Sequence, residues 1–580
     1  MKILSLHCDY IKFKPMQKAL KQPEELAEEQ KKTKEVKEPL VIFIAVEHGD
    51  SMDIVKPLIE NIKDIAGQVK AKNIVLYPYA HLSSQLALPA VAEAVLKEAE
   101  IELRKQPEKF SVTRAPFGYY KEFELKCKGH PLAELSRSIS LGTGAGVAGK
   151  KVEARAVERE LSENERKVLL KEISRTKLDR EKLKENDHRI LGQQMELFSF
   201  NETAPGMVFW HNNGLIIYNE LVNYWRDEHR KAGYKEISTP QILDKKLWLI
   251  SGHWEKYKDN IFLTEYEKRA FAVKPMNCPG GILVYKSKPR SYKELPMRVA
   301  ELGIVHRQEL SGVLAGLFRV IKFTQDDAHI YCQESQLEQE ITGIMDLISK
   351  FYKKFGFAYR VELSTRPEKR IGSDLLWERA EKILEDVLKK KKASYKISKG
   401  CGAFYGPKID FHIKDSLGRE WQCATIQLDF AMPERFGLTY MDETNKEKMP
   451  VMIHRTVLGS LERFIGVLLE HLNGHLPVWL SPVQARVLSF TDRNVKAAEK
   501  TARQLEEAGI RTDSDLTNRT VDYKVREADL VQKIPYIIVI GDKEEKAKTL
   551  AVRARGRKPE FGVKPDKFIE KLKKEIENRE

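Results

Sequence analysis

Residues 451–469 read VMIHRTVLGSLERFIGVLL, a stretch in which His454 precedes a helix that is apolar along most of its length. Arg463 lies within that helix, next to Phe464 and Ile465. Because burying an unpaired charge costs on the order of several kcal/mol, Arg463 requires a partner. The phosphates or the adenine face of ATP would supply one, and a buried carboxylate of the chain itself is the alternative.

His454 has two candidate companions far upstream in the chain. Cys278 lies in KPMNCPG (residues 274–280), and His329 closes FTQDDAH (residues 323–329). One cysteine and two histidines suit a zinc ion that keeps its fourth position open for a substrate. The separations of 51 residues (329 minus 278) and 125 residues (454 minus 329) exclude a local zinc finger. A buried thiol beside two hydrogen-bonded histidines is the alternative interpretation.

Length and composition indicate a multidomain protein that works in a reducing compartment. The chain predicts about three or four domains from its length, and its hydrophobic share of 42% is ample for packed cores. No run of about 18 apolar residues occurs, so no membrane span is expected, and the N-terminus lacks the pattern of a secretory signal. Six scattered cysteines without a CxxC pair predict neither a disulfide framework nor a zinc finger, and a cytoplasmic location fits best.

The charge balance favours a polyanionic partner. The net charge of +15 is typical of proteins that bind nucleic acids. The charged share of 32%, with both signs mixed, would equally fit the surface of a heat-tolerant protein.

Composition divides the chain into four segments. Residues 1–140 alternate strand and helix patterns and predict a self-contained α/β domain. Residues 141–188 combine a glycine-rich run with dense mixed charge and predict a linker with one or two solvated helices. Residues 189–478 form the largest block and favour a mixed or antiparallel sheet, whereas residues 479–580 alternate again as a compact α/β domain.

Apolar periodicity assigns elements within three of these segments. Strands are predicted at residues 1–9, 40–46, 73–79, 487–490 and 536–540. Helices are predicted at residues 53–69, 86–104, 492–508 and 564–577. The pair Ile409–Ile413 and Trp421–Phe430, around the turn residues 416–418, predicts an antiparallel hairpin.

A second charged group precedes the FTQDDAH stretch. Arg307 and Glu309 come before a loop rich in small residues, and Arg319 follows that loop. A strand–loop–strand arrangement would bring both arginines to one surface of a sheet, where a planar guanidinium suits the oxygens of an α-phosphate. Glu309 could accept a hydrogen bond from an adenine amino group. The alternative is a surface ion pair, worth about 0–1 kcal/mol.

Together these residues resemble a known family. The central block is similar to the class II aminoacyl-tRNA synthetases, and within them to the threonyl-tRNA synthetases. The three class motifs correspond to ISTP (residues 237–240), to Arg307–Glu309 with Arg319, and to GSLER (residues 459–463). The resemblance implies a seven-stranded, mostly antiparallel sheet that binds a bent ATP with Mg²⁺. It also implies L-threonine and tRNA(Thr) as substrates, and a homodimer formed through the first motif.

The resemblance assigns roles to individual side chains. The zinc ligands, with one ion per subunit, are Cys278, His329 and His454. The ATP-binding residues are Arg307, Glu309, Arg319, Gln422 and Arg463. The threonine-binding residues are Met276, Gln325, Asp327, Tyr405, Gln427 and Ser460. The catalytic residues are Arg307, Arg319, Arg463 and His253, the last through transfer to tRNA. Gly281 stands where the bacterial pattern has histidine, at a position that is not a proposed ligand.

A zinc site of this kind has a physical consequence for substrate choice. A site that must ligate a hydroxyl rejects valine, which has the shape of threonine without its hydroxyl, by a factor on the order of ten thousand. Serine keeps the hydroxyl and lacks only a methyl group, which is worth about 1–3 kcal/mol. Hydrolytic editing of Ser-tRNA(Thr) is therefore expected.

The N-terminal block resembles a domain with that activity. Residues 1–140 are similar to the archaeal-type editing domain of threonyl-tRNA synthetases, whose fold is similar to the D-aminoacyl-tRNA deacylases. The matching stretches are YPYAHLSS (77–84), APFGYYK (115–121) and HPLAELS (130–136). The resemblance implies that His81, Lys121 and Glu134 line the hydrolytic site, where they would orient a water and stabilise its attack. The alternative is a surface Lys–Glu pair with a core histidine.

Residues 479–580 resemble the class II anticodon-binding domain. Splayed bases require edge hydrogen bonds, stacking and phosphate charge. The candidate contacts are Asn518, Arg526, Arg553 and Arg555.

Three functions are compatible with this organisation. The first is a threonine–tRNA ligase with its own editing activity, and the second is a non-aminoacylating tRNA-binding or trans-editing protein. The third is a ligase whose editing domain is inactive. A ligase homologue that no longer aminoacylates tRNA would have lost some of the ATP-binding arginines or zinc ligands. Because Arg307, Arg319, Arg463 and all three candidate ligands are present, the sequence favours the ligase.

Overall fold

The computed structural model describes residues 1–20, 23–83, 86–105, 108–130, 132–139 and 183–580. The chain divides into two compact units, residues 1–158 and 159–580. The linker predicted at 141–188 lies outside the described residues except for 183–188, and the four predicted domain bounds stay predictions.

The first unit is built on a seven-stranded sheet, as the predicted α/β domain requires. Five strands follow one another in the order Lys34–Lys37, Lys2–Lys18, Pro39–Ala45, Asn73–Pro78 and Ser111–Arg114. Two more, Tyr119–Cys127 and Glu134–Ser138, pair with the long first strand. The strands predicted at the N-terminus, at 40–46 and at 73–79 are confirmed.

The central strand Pro39–Ala45 is buried along its whole length because both faces of the sheet are covered. The helices Val55–Val69 and Pro89–Arg104 pack on one face. An aromatic cluster that includes Phe43 and Tyr77 covers the other. Both helices agree with the predicted periodicity and begin two or three residues later than the apolar pattern.

The second unit contains a mixed sheet of eight strands, one more than the family resemblance implied. Its order is Lys235–Glu236, Met297–His306, Lys322–Cys332, Val451–Ser460, Glu420–Asp429, Lys408–Lys414, Ala358–Ser364 and Tyr395–Ser398. The outermost pair at each edge is parallel and all inner pairs are antiparallel. The predicted hairpin is confirmed as the pair Lys408–Lys414 and Glu420–Asp429.

The longer helices pack against one face of this sheet, whereas the other face carries a cavity and is partly covered by short helices. The longer ones are Asn212–Lys231, Leu337–Lys354, Asp374–Lys390 and Leu461–His471. The shorter ones are His188–Gln194, Lys245–Ile250, His253–Tyr257, Cys278–Tyr285 and Ala431–Arg435. Small satellite sheets are formed by Phe198–Phe200 with Val208–Trp210, by Ile242–Asp244, Leu263–Tyr266 and Arg269–Val273, and by Tyr440–Met441 with Glu447–Lys448.

The C-terminal part of the second unit has its own five-stranded sheet and its own core. The strand order is Thr512–Asp515, Ala485–Ser489, Tyr536–Ile540, Leu550–Ala554 and Glu560–Val563. Its helices are Val495–Glu507, Val521–Arg526, Asp542–Ala547 and Pro565–Glu577. Gly509, at a φ of 84°, follows the first of these helices and supplies the left-handed turn that ends it.

No helix in the described ranges is both long enough and apolar enough to cross a membrane.

Candidate active site and metal centre

Two neighbouring strands bring the candidate metal ligands together. His329 and His454 are direct register partners on the antiparallel strands Lys322–Cys332 and Val451–Ser460, with ring centroids 5.1 Å apart. Cys278 begins the helix Cys278–Tyr285 and completes the group. All three residues are buried, and their ligand atoms lie within 4.8 Å of one another. The pairing of the two strands therefore brings together ligands that are 51 and 125 residues apart in the sequence.

The hydrogen bonds around these side chains fit a bound cation. Nε2 of His454 lies 2.8 Å from a carboxylate oxygen of the buried Asp429. Nδ1 of the same ring has no hydrogen-bond partner among the described residues. Nε2 of His329 has no hydrogen-bond partner within the described ranges. A buried histidine nitrogen without a partner is costly, and a metal would satisfy it. The structure thus contains a Cys/His/His group capable of holding a metal ion.

Gly281 lies against this group. A Cβ atom at Gly281 would sit 3.2 Å from Nδ1 of His329, closer than side chains normally approach. The glycine that departs from the bacterial pattern therefore leaves room for the histidine ring.

The cavity beside the metal-ligand group has a volume of about 580 Å³ and collects nearly all of the predicted site residues. Those that line it are Met276, Cys278, Arg307, Glu309, Arg319, Gln325, Asp327, Tyr405, Gln422, Gln427, His454, Ser460 and Arg463. The two predicted residues of this domain that do not line it are His329 and His253. His329 is buried behind the cavity wall, with 1% of its surface exposed.

His253 lies one layer away from the cavity. Its Nδ1 is 2.8 Å from Oγ of Ser251, and its ring packs against the rings of Phe404 and Tyr405. Burial lowers the pKa of His253 to about 3, so the imidazole is neutral at physiological pH. Its predicted role in transfer to tRNA stays a prediction.

Two arginines form the basic end of the cavity. Arg307 donates from Nε to the carbonyl of Pro275 at 3.1 Å and lies over the ring of Phe323. Arg463 donates from Nε to the carbonyl of Phe318 at 2.8 Å. In the part of the chain that the structure describes, Arg463 forms no ion pair with a carboxylate, so the internal partner considered as an alternative is not found there. Burial lowers the pKa of Arg463, as expected for a cation without a fixed counter-charge.

Arg319 and Glu309 form an ion pair at the edge of the cavity. Both Nε and Nη2 of Arg319 reach the same carboxylate oxygen, at 3.0 and 2.8 Å, and about half of the Arg319 side chain is exposed. The surface ion pair proposed as an alternative is thus realised by Arg319 with Glu309.

Polar side chains line the end of the cavity nearest to the metal-ligand group. Asp327 accepts a hydrogen bond from the amide of Asn277 at 2.8 Å, and burial raises the pKa of its carboxyl. The amide oxygen of Gln325 has no partner in the described structure. Gln427 donates to the carbonyl of Gly406 at 3.1 Å. This end can accept and donate hydrogen bonds to a small polar ligand.

Ser460 and Gln422 already have partners inside the protein. Ser460 caps the helix Leu461–His471, since its Oγ accepts from the backbone N–H of Arg463 at 3.2 Å. Gln422 donates to Asp410 at 2.6 Å. Tyr405 packs 5.3 Å from the ring of His454. These contacts hold the cavity wall in place without a ligand.

A second cavity, of about 410 Å³, lies in the N-terminal unit and is lined by His81 and Lys121. Nζ of Lys121 donates to the carbonyls of Pro116 and Tyr119 at 2.9 and 3.0 Å and lies 5.2 Å from the ring centre of Tyr77. Burial lowers the pKa of this lysine to about 8. A titratable group in a cleft whose pKa is shifted by burial is a candidate functional residue.

Glu134 does not reach that cavity. It pairs with Leu6 on the first strand, whereas Lys121 pairs with Pro15, nine residues further along the same strand. At about 3.3 Å per residue, this separation is too large for the two side chains to meet. The structure therefore brings together His81 and Lys121 of the predicted trio and places Glu134 elsewhere, beside Cys127.

The four candidate anticodon contacts in the C-terminal part differ in exposure. Asn518 and Arg526 are exposed, and Arg553 is partly exposed at 3.9 Å from a carboxylate oxygen of Asp529. Arg555 is half-buried, and its guanidinium donates to the carbonyls of Leu476 and Lys533. A guanidinium held in this way links two segments of the chain, and contact of Arg555 with a base stays a prediction.

Three family models match the chain. The archaea-specific editing domain of threonyl-tRNA synthetase matches residues 1–139, the tRNA synthetase class II core domain (G, H, P, S and T) matches 262–472, and the anticodon binding domain matches 480–575.

Similar proteins agree with these matches. The threonine–tRNA ligase of Desulforamulus reducens is 54% identical over 399 residues, and that of Carboxydothermus hydrogenoformans is 54% identical over 400. Each alignment covers 69% of this chain and 63% of the relative. The crystal structure of the RNA binding domain of threonyl-tRNA synthetase from Cryptosporidium parvum is 40% identical, with a TM-score of 0.65 over 67% of this chain and 98% of that one. A putative threonyl-tRNA synthetase from Aeropyrum pernix is 30% identical, with a TM-score of 0.61 over 68% and 96%.

The chain belongs to the threonyl-tRNA synthetase family. The family predicted from the sequence motifs is thereby confirmed, as is the multidomain α+β fold. The chain spans 63% of the length of the curated relatives that it matches.

In this threonyl-tRNA synthetase family member, Asp326 has a role that the sequence motifs did not indicate. Its buried carboxylate accepts hydrogen bonds from the backbone N–H groups of Val457, Leu458 and Gly459 at 2.9, 3.0 and 2.7 Å. These contacts fix the strand end that leads to Arg463. Burial raises the pKa of Asp326 to about 6. Strand alternation is the signal that could have found it, because neighbours of cavity-facing residues point into the core.

Lys408 is a second side chain of the family site that sequence reasoning missed. It lines the cavity and forms an ion pair with Asp410 at 2.8 Å. Its position at the start of the strand Lys408–Lys414, three residues after Tyr405, is the signal that could have drawn attention to it.

Proposed function

We propose that the protein is a threonine–tRNA ligase, which activates L-threonine with ATP and transfers the threonyl group to the 3′ end of tRNA(Thr). The observation that carries this proposal is that the Cys278/His329/His454 group and the arginines Arg307 and Arg463 meet at one cavity. An amino-acid site and a phosphate site within one cavity are what adenylate formation requires. The similarity to threonine–tRNA ligases supports the same activity.

We propose zinc, one ion per subunit, as the metal of the Cys278/His329/His454 group. When bound there, zinc would offer a Lewis-acidic position to the amino and hydroxyl groups of threonine. Asp327, held by Asn277, accepts a hydrogen bond from the substrate hydroxyl. The pairing of His454 with Asp429 fixes the orientation of that ring.

The basic end of the cavity carries the phosphate chemistry. Mg²⁺ would enter with ATP, and Arg307 and Arg463 would neutralise charge at the α-phosphate. The carboxylate of threonine attacks the α-phosphorus, a P–O bond forms, and pyrophosphate leaves with the electrons of the bond that breaks. A ribose hydroxyl of the terminal adenosine of tRNA then attacks the adenylate carbonyl, and AMP leaves.

The N-terminal unit would remove serine that passes the first site. Serine offers the same amino and hydroxyl ligands as threonine and is rejected only through the missing methyl group, worth about 1–3 kcal/mol. The cavity around Lys121 and His81 is the proposed site of Ser-tRNA(Thr) hydrolysis. Selection against threonyl esters there must come from exclusion of the extra methyl group.

The remaining partners belong to the same proposal. Asn518, Arg526 and Arg553 stay candidates for anticodon contact because their side chains are at least partly exposed. A homodimer through residues 237–240 and a cytoplasmic setting are further parts of the proposal, and six free thiols support the latter. No observation favours the alternative of a non-aminoacylating protein, since every predicted ATP-binding side chain lines the cavity.

The function is tested by threonine-dependent exchange of pyrophosphate into ATP. Arg463→Ala is expected to lower the exchange rate, because it removes a charge-assisted contact to the nucleotide. The loss of transition-state stabilisation should be about 2–4 kcal/mol. Metal content should not change. Arg360→Ala is the matched control, since Arg360 pairs with Glu362 and Glu420 outside the cavity. Wild-type exchange by Arg463→Ala would assign Arg463 a structural role, and absence of exchange by the parent protein would refute the ligase.

A further inference from the structure

His188 touches the loop that carries the nucleotide-side residues, although it does not line the cavity. It is the first residue of the helix His188–Gln194 and is 1% exposed. Nε2 of its ring lies 2.9 Å from the backbone nitrogen of Leu317, and its Nδ1 lies 2.6 Å from a carboxylate oxygen of Glu470. The ring therefore bridges the loop and the C-terminal turns of the helix Leu461–His471.

The chemistry of the two partners determines the tautomer. A backbone N–H can only donate, so Nε2 must be the acceptor and the ring proton must reside on Nδ1, where it is donated to Glu470. Glu470 also accepts from the backbone N–H of His188 at 3.0 Å and from Arg419. Both ring nitrogens are thus occupied, so His188 has no nitrogen left for a metal. His188, Glu470 and the backbone of Leu317 form a hydrogen-bonded latch.

The loop is shaped to receive this ring. Gly316 has a φ of 53°, and a Cβ atom there would lie 2.2 Å from Nε2 of His188. The ring of Phe318 lies 4.2 Å from the His188 ring, centroid to centroid. The turn is closed by hydrogen bonds from Phe318 to the carbonyl of Ala315 and from Ala315 to the carbonyl of Arg319.

The same turn supports the cavity. The carbonyl of Phe318 accepts from Nε of Arg463 at 2.8 Å, and Arg319 is the next residue along the chain. Phe318, Arg319 and Arg463 all line the cavity. A movement of the turn would therefore displace two arginines on the nucleotide side and leave the metal-ligand group in place.

We propose that His188 is a positioning residue for ATP, which acts by holding the Gly316–Arg319 turn in the conformation that anchors Arg463. The inference rests on the proposed ligase function. It predicts an effect on one substrate, because the latch contacts Leu317 and Phe318, which belong to the nucleotide side of the cavity.

The test measures KM for ATP and for threonine in pyrophosphate exchange with the full-length protein. His188→Ala is expected to raise KM for ATP about tenfold or more, since small displacements of binding groups have large kinetic effects, while KM for threonine changes less than twofold. His188→Gln should recover most of the loss, because its amide can accept from Leu317 and donate to Glu470. His211→Ala, at a largely exposed histidine of the same domain, should match the parent. An unchanged KM for ATP in His188→Ala, with or without a lower kcat, would overturn the inference.

A second variant reaches the latch from the other side. Gly316→Ala keeps the buried histidine but places a methyl group against Nε2, so it should raise KM for ATP in the same selective way. In the His188→Ala background the added methyl meets less obstruction, and the two effects should combine to less than their product. Fully multiplicative effects would contradict a shared latch. Exchange by the parent protein together with insensitive variants would refute the positioning role alone, whereas a parent without exchange would refute the ligase function.

Discussion

Cys278→Ser is expected to abolish binding of the proposed zinc ion and to lower threonine-dependent pyrophosphate exchange by about a thousandfold, which corresponds to the several kcal/mol that a Lewis-acidic metal supplies. A serine hydroxyl is a poor zinc ligand compared with a thiolate, and loss of one of three protein ligands leaves His329 and His454 unable to hold the ion. The parent protein should contain one zinc per chain by elemental analysis.

The control for this variant is another thiol of the same domain. Cys401 is exposed and its sulfur lies 3.7 Å from the carbonyl of Lys399, away from the metal-ligand group, so Cys401→Ser should retain metal and activity. Hydrolysis of Ser-tRNA by the N-terminal unit should be unaffected in both variants. Full exchange activity in metal-free protein would show that the Cys278/His329/His454 group is structural.

The sequence predicted the parts of the site that depend on residue type and short stretches. Cys278, His329 and His454 were identified by their ligand chemistry, and the strand register then confirmed that His329 and His454 lie opposite each other. Helix Leu461–His471 follows directly from its apolar periodicity. Arg463 was singled out because a cation in such a helix needs a partner, and the structure turns it toward a cavity.

Contacts between distant segments determine the roles of the residues that the sequence did not predict or placed wrongly. Asp326 acts on backbone N–H groups more than 130 residues away, which no local pattern encodes. Arg555 is a candidate base contact by residue type, and no local pattern indicates its hydrogen bonds to the carbonyls of Leu476 and Lys533. Glu134 and Lys121 are 13 residues apart in the chain (134 minus 121), but pairing along the first strand separates them in space.

Lys121→Met in the full-length protein is expected to lower the hydrolysis of Ser-tRNA(Thr) by about a hundredfold to ten-thousandfold, the range for loss of a positioned acid, base or charge. Threonine-dependent exchange should remain at the parent rate, because the cavity at Lys121 and the cavity at Arg463 are in separate units. Lys126→Met is the control, since Lys126 lies on the same strand and forms an exposed ion pair with Asp9. If the Lys121→Met variant hydrolysed Ser-tRNA(Thr) at the parent rate, Lys121 would have no role in the proposed editing reaction.

The pH profile of editing distinguishes the two possible roles of Lys121. Burial lowers the pKa of this lysine to about 8, so the side chain is largely charged at pH 7 and loses its proton as the pH rises through about 8. The ammonium group of Lys121 donates to the carbonyls of Pro116 and Tyr119 and lines the cavity. Its positive charge can therefore stabilise an ester that is attacked in this cavity. We therefore expect the enzymatic rate, after subtraction of spontaneous hydrolysis, to fall above about pH 8. A rate that instead rises through this range would show that the neutral amine acts as a base, because only the deprotonated form increases there.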